Sequence, residues 1–502
     1  MADRHASSAV TRRVAVAGLL AALPGASLAA SPLAMPPPRR RPHVFEVPEP
    51  PVPGSLADVV SKNDVDGHTG AVLVDFSSGG TVEAFQPDLK LPPASTAKAL
   101  TTLYALETLG ADFRFRTRVV ITGPVTHGRV QGDLYLVGGG DPHLDTDHLA
   151  EMVDQLVARG IFGVSGSFFV CSNALPLQRR IDPAQPEYVG YNPSVSGLNL
   201  NFNRVFFEWE RKKDGYRTVL EARSRHHRPA VKGVELTLAD RASPVFAYRS
   251  VEGHDAWSVA RGMLGRKGGR WLPVREPGDY VGEVFRTLAA ARNVRLPAHR
   301  AATVVPRGET AAEYTSIELS RVLKSMLHFS TNMTAEAVGM ASSAARGASF
   351  DTLAGSAAAM SDWAAANTPL SEAQLVDHSG LSDRSRIAPQ DMVGALRSPR
   401  GADTLRELAK SYAVPASRGR SGSGGAIRVH AKSGTLNFTR CLTGIIENGA
   451  GRVFGFAVFT CNFQDRERYA GLERPPGSRR WRNRAQRQER ALLRRWAGIA
   501  AG

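Results

Sequence analysis

At 502 residues, 42% hydrophobic and 22% charged, the chain is too long for one ordinary core and has the composition of a soluble protein of roughly two to four domains. Its formal charge of +16 rests mainly on arginine, since ten of the 63 basic residues are lysine. That charge permits an anionic partner without choosing among nucleic acid, acidic lipid and a cell-wall polymer.

The chain opens with Thr11-Arg12-Arg13, an apolar run from Val14 to Leu23, and small residues at Ser27-Leu28-Ala29-Ala30. This order reads as an export signal over 1–30, and the paired arginines match the twin-arginine route loosely. The run is too short to span a bilayer, and no other stretch approaches that length, so no transmembrane span is expected. Residues 31–54 are proline-rich, with an Arg39-Arg40-Arg41 cluster, and read as an extended tether.

Folded sequence is expected from about Leu56. Ala71–Asp75, Gly79-Gly80 and Thr81–Phe85 read as a β-hairpin. Pro92-Pro93 then gives way to helix formers: Leu100, Leu103, Tyr104, Leu106 and Leu109 make an apolar stripe that Gly110 ends. From about residue 116 short strands and turns dominate, and Gly138-Gly139-Gly140 lacks the Lys-Ser/Thr of a phosphate cradle, so it reads as a tight turn. A helix is expected over His148–Arg159, with strands at Val205–Trp209, Arg217–Ala222 and Val234–Leu238. His226-His227 has no partner at metal spacing and reads as a solvated loop. Helical pattern returns at Val281–Ala291, runs as one long stretch from Ser316 to Met340, and recurs over Ser349–Ala366. Ala388-Pro389-Gln390-Asp391 opens another helix, and Ser417–Gly425 reads as a Gly/Ser/Arg-rich loop. Two strands around the turn Glu447–Gly451 follow, then a basic helix over Ser478–Ala500 with Trp481, Ala485, Leu492 and Trp496 on one side. If the hairpin closes around Gly451, Cys441 and Cys461 face each other and a disulfide is expected, leaving Cys171 free; three buried thiols is the alternative.

Three short motifs carry chemistry. Ser95-Thr96-Ala97-Lys98 places a hydroxyl at a helix start and an amine one turn on, the arrangement of a nucleophile and its base. Ser330-Thr331-Asn332 follows in the helical region, and Lys432-Ser433-Gly434-Thr435 lies on a strand. Each is common alone, but in this order, in an exported and lysine-poor chain, they are far more specific. Acyl transfer needs these groups: Ser95 to attack a carbonyl, Lys98 to take its proton, Ser330 to pass that proton to a leaving amine, and Asn332 to hold a substrate amide. Lys432 supplies positive charge, aided by the hydroxyls of Ser433 and Thr435, and the backbone N–H groups of Ser95 and Thr435 would form the oxyanion hole. An extended peptide could lie along that strand edge.

This triad is that of the serine penicillin-recognising enzymes. The chain further resembles the D-alanyl-D-alanine carboxypeptidase/endopeptidase family, the class C low-molecular-mass penicillin-binding proteins. The resemblance extends through Gly132–Pro142, Ser196–Asn203 and Asp377-His378-Ser379-Gly380-Leu381-Ser382. It implies an α/β (α+β) fold: a β-lactamase/DD-peptidase-like domain, assigned here to 55–117 and 306–502, with two inserted, mostly β domains in 118–305, one nested at about 205–265. It implies a serine carboxypeptidase acting on peptidoglycan stem peptides, without cofactor or metal, acylated by β-lactam antibiotics and not binding nucleic acid. Three departures stand out: Ser433 replaces the family's usual threonine, His378 its usual glycine, and the loop Ser417–Gly425 upstream of Lys432 is poorly matched, which bears on substrate preference more than on activity. Asp377 and Ser379 are expected to shape a turn rather than act in catalysis. A β-lactamase and a catalytically weak peptidoglycan-binding protein are the alternatives; no position marks a dedicated deacylating carboxylate, which counts against the first.

Overall fold

A computed structural model describes residues 54–251, 254–413 and 427–501. The expected export signal, all but the last residue of the tether and the loop Ser417–Gly425 lie outside the described residues. At the centre is a six-stranded antiparallel sheet in the order Lys410–Ala413, Arg428–Leu436, Thr439–Glu447, Val453–Cys461, His68–Asp75, Thr81–Phe85. The expected N-terminal hairpin is present, and it joins the C-terminal strands through His68–Asp75 against Val453–Cys461.

Both faces of this sheet are covered, which explains why Val453–Cys461 is buried almost throughout instead of alternating. On one face pack the helices Ala97–Leu109, Leu353–Asn367 and Pro389–Leu396, whose Leu100, Tyr104, Trp363 and Met392 meet Ile445 and Phe459. The other face takes Leu56–Lys62 and the Ser478–Ala501 helix, with Leu492 and Trp496 against Leu73, Leu442 and Phe456. The expected tail stripe is thus core, and Trp481 closes its end against Phe438.

Between the two halves of this framework lies a second, five-stranded sheet, ordered His299–Ala301, Phe168–Cys171, Leu134–Val137, Arg116–Ile121, Glu309–Thr315. Three three-stranded sheets lie within the same interval, one built on Arg204–Lys212, one on His254–Ala260 and a small one on Arg129–Val130. The triple glycine is a close-packed turn: a side chain on Gly138 would meet the Gly197 carbonyl at 2.2 Å, and one on Gly139 the Arg116 carbonyl at 2.2 Å.

Two expectations are corrected. The helix expected over Ser316–Met340 is two helices, Leu319–Phe329 and Asn332–Ala345, because Ser330 adopts a left-handed conformation (φ 60°, ψ 38°) that ends the first. The expected Cys441–Cys461 disulfide is absent: all three cysteines are free and buried. The turn closes one position earlier than Gly451, so Cys441 pairs with Phe459 and Cys461 with Thr439. The two thiols are diagonal neighbours, a relation that puts Cα atoms about 7–8 Å apart, beyond normal disulfide reach. Denatured without reductant, the protein is expected to titrate three thiols with a colorimetric thiol reagent; one thiol would contradict this register.

Candidate active site

The local sequence strains the residue just before Ser95. Pro92 and Pro93 cannot extend a helix backwards, so the chain enters through a short 3-10 turn, Ala94–Thr96, before Ala97–Leu109. Ala94 is left-handed (φ 47°), a conformation that costs a non-glycine residue about 1–2 kcal/mol. Thr96 Oγ1 donates to the Pro93 carbonyl at 2.6 Å and locks the turn. Ser95 is left half-buried at the groove, with Lys98 wholly buried behind it.

Lys98 Nζ has three partners: Ser95 Oγ at 3.0 Å, Asn332 Oδ1 at 2.8 Å and the Ser379 carbonyl at 2.7 Å. A neutral amine has two N–H groups and one lone pair. Asn332 and Ser379 can only accept at these atoms, so they take the two N–H groups and the lone pair faces the Ser95 hydroxyl. Burial pushes Lys98 down to about 8, against the opposing pull of the Glu336 and Asp377 carboxylates.

The helix break gives the second motif its shape. Left-handed Ser330 turns its side chain to Lys432, whose Nζ donates to Ser330 Oγ at 2.9 Å and to the Ser433 carbonyl at 2.7 Å. Asn332 begins the next helix and spends its amide donor on the Tyr191 carbonyl at 2.9 Å, so the loop that carries Tyr191 reaches the site. Burial holds Lys432 well below the usual lysine range, helped by the positive charges of Lys98, Lys410 and Arg440.

Gly434 is required by close approach: a side chain there would lie 2.8 Å from Ser95 N and 2.9 Å from the Pro93 carbonyl. The strand therefore passes directly over Ser95. Its pairing with Lys410–Ala413 ends at Ala431, so on that side Lys432–Leu436 has no strand neighbour among the described residues. Thr435 lines both hollows that open on Ser95, of about 390 and 320 Å³, and Ser433 lines the smaller. The eight residues singled out from the sequence thus converge on one groove. Among the described residues no group of three or more His, Cys, Asp or Glu is placed to hold a metal.

Other residues at the site escaped sequence reasoning. Arg440, directly opposite Thr435, donates to its hydroxyl at 2.7 Å and is held by both oxygens of Glu489, at 2.6 and 2.8 Å, from the C-terminal helix. Glu336 is wholly buried, and its two oxygens accept the backbone N–H groups of His378 and Ser379, each at 2.9 Å. Burial and the neighbouring Asp377 push Glu336 up to about 8. Asp377 accepts from the N–H groups of Gly380 and Ser382, at 2.7 and 2.6 Å, which is the turn-shaping part expected of it. Ser379 does more than shape a turn, since its carbonyl holds Lys98.

A half-exposed serine whose hydroxyl meets a buried lysine, beneath a strand with an open edge, is the site of a serine acyl-transfer enzyme. The protein matches the model of the D-Ala-D-Ala carboxypeptidase 3 (S13) family over residues 52–474, and it belongs to that family. It is a serine-type D-alanyl-D-alanine carboxypeptidase. It is 27% identical over 469 residues to the D-alanyl-D-alanine carboxypeptidase of Actinomadura sp. (strain R39), covering 83% of this chain and 84% of that protein. It is 22% identical over 447 residues to the D-alanyl-D-alanine carboxypeptidase DacB of Haemophilus influenzae, covering 84% and 91%. The crystal structure of penicillin-binding protein 4 from H. influenzae superposes with a TM-score of 0.66 at 18% identity, over 87% of this chain and 99% of that one. This likeness establishes the fold, a DD-peptidase framework with additional β domains.

Proposed function

We propose that Ser95 is the nucleophile, Lys98 its general base, and the acyl-Ser95 ester the intermediate of the carboxypeptidase reaction. The observation that carries this is the set of three partners around Lys98 Nζ, which leaves a neutral amine only the Ser95 hydroxyl as a proton source. Ser95 Oγ attacks the carbonyl of the D-Ala–D-Ala bond as its proton passes to Lys98. Ser330, hydrogen-bonded to Lys432, then carries a proton to the departing D-alanine amine. The backbone N–H groups of Ser95 and Thr435 receive the oxyanion, and the peptide lies along the open edge from Lys432 to Leu436. Ser433, Gly434 and Thr435 are its binding residues, and Asn332 divides its amide between Lys98 and Tyr191.

The substrates in this reading are peptidoglycan stem peptides, with D-Ala cross-links as a second class, and β-lactams acylate the same serine. The H. influenzae penicillin-binding protein 4 has been captured with a β-lactam, which supports that assignment. Export through the 1–30 signal to the periplasm accords with a cell-wall substrate, and among the described residues no helix is long and apolar enough to cross a membrane. The peptidase domain comprises 55–117 and 306–502, and the inserted region 118–305, with the smaller domain at about 205–265 nested in it.

The test is to incubate the mature protein with a fluorescent penicillin and, separately, with a stem pentapeptide and a cross-linked dimer. A long-lived adduct together with D-alanine release is expected. Rapid penicillin turnover would point to a β-lactamase, and no adduct with no release would overturn the reading.

A further inference from the structure

Two buried carboxylates stand behind Lys98, and they are used differently. Asp377 is spent within its own turn, on the N–H groups of Gly380 and Ser382. Glu336 reaches in from another element. It lies four residues after Asn332 on the Asn332–Ala345 helix, hence on the same face one turn along. Its Oε1 accepts the Ser379 N–H at 2.9 Å, and the carbonyl of Ser379 in turn accepts from Lys98 Nζ at 2.7 Å. Its Oε2 takes the His378 N–H at 2.9 Å, and Thr101 Oγ1 pins the His378 carbonyl at 2.6 Å from the opposite side. One helix therefore governs both acceptors that occupy the N–H groups of a neutral Lys98: Asn332 directly, and Ser379 through Glu336.

We propose that Glu336 is a positioning residue for acylation: its carboxylate aims the Ser379 carbonyl at Lys98, and its charge sets how tightly Lys98 holds a proton. The inference rests on Lys98 being the base. The ionisable groups around the pair are few. Lys98 comes from the Ala97–Leu109 helix and Asp377 and His378 from the 377–382 loop, with Lys432 beyond Lys98 on the sheet. His378 stays uncharged, because burial lowers it to about 3, and the Leu353–Asn367 helix meets its ring with Ser356 and Met360, which do not ionise. The carboxyls of Glu336 and Asp377 thus favour an ammonium at Lys98 in opposition to its burial, Glu336 doing so only once it has lost its own proton, which burial and Asp377 delay to about 8.

The test is the rate of acylation by fluorescent penicillin against pH for the wild type, Glu336→Gln and Glu336→Asp. Glutamine offers one acceptor oxygen to two backbone N–H groups and carries no charge. The plateau rate should fall about tenfold. The acidic limb should move down, since wild-type Glu336 ionises in the same range near 8 as Lys98 and its charge then holds the Lys98 proton to higher pH, whereas glutamine never acquires that charge. Aspartate keeps the charge on a shorter arm, so its rate falls while its limb stays in place. A Glu336→Gln limb that does not move, at whatever rate, would reduce Glu336 to structural support and overturn the proposal. Should that variant not fold, a limb displaced downwards in Glu336→Asp would overturn it equally. A wild type that fails to label would overturn the acyl-serine reading and this proposal together, whereas an unmoved limb in labelled protein overturns the proposal alone.

Discussion

Lys98→Met is expected to lower the rate of acylation by penicillin and of D-alanine release by about 10³–10⁴-fold. Methionine fills much of the same space without an amine, which separates the chemistry from packing in a site that is 0% exposed. It also leaves Asn332 Oδ1 and the Ser379 carbonyl without their donor, at a cost of about 1–3 kcal/mol for the buried Ser379 acceptor. The variant should therefore melt earlier than the wild type while remaining folded at 25 °C. In the wild type the base form of Lys98 grows as pH rises through about 8, so acylation should climb about tenfold per pH unit below that value and level off above it. A Lys98→Met protein retaining a tenth of the wild-type rate would mean that another group takes the Ser95 proton.

Gly339→Ala is expected to destabilise the protein substantially. A side chain at Gly339 would lie 2.2 Å from Cγ and 2.3 Å from Nδ1 of His378. The ring cannot retreat, since it is wholly buried, with Nε2 paired to Ser356 Oγ at 2.8 Å and Nδ1 3.3 Å from the Met360 sulfur. Overpacking of this kind costs about 1–3 kcal/mol, the displaced ring loses its hydrogen bond at about 1 kcal/mol more, and alanine's helix propensity returns only about 1 kcal/mol. A net loss of about 1–3 kcal/mol is expected, read as a lower midpoint of denaturant unfolding. Because the Ser379 carbonyl lies one residue beyond His378, acylation should fall as well. The double variant Gly339→Ala/His378→Gly removes the clash and should recover most of the stability. A single Gly339→Ala variant as stable as the wild type would contradict the packing described.

His378 shows how a departure from the family pattern is absorbed. In the sequence, an imidazole stands where the family usually has glycine. In the structure it points away from the groove into the space that Gly339 leaves, and only its backbone serves the site. The eight groove residues were legible because their spacing is local: three residues from Ser95 to Lys98, two from Ser330 to Asn332, four in a row from Lys432. The tail stripe of Trp481, Leu492 and Trp496 was legible for the same reason, being periodic within one helix.

What escaped was long-range or one residue fine. Glu336 sits on an alanine-rich helix where a lone glutamate reads as solvated; only the fold brings the 377–382 loop across it. Arg440 and Glu489 meet across 49 residues, and no pattern in either segment announces the other. The break at Ser330 leaves the helical periodicity on both sides intact, so the sequence looked continuous through it. The cysteine register turned on a single position in the Glu447–Gly451 turn, and a one-position shift of the turn moves the facing partner by two.

The most direct test of the account is to digest the penicillin-labelled mature protein and map the adduct by mass spectrometry. The penicilloyl mass is expected on Ser95 alone, and Ser95→Ala should remain unlabelled while melting within a few degrees of the wild type. An adduct on another residue, or labelling that survives Ser95→Ala, would contradict the assignment of the nucleophile and the mechanism built on it.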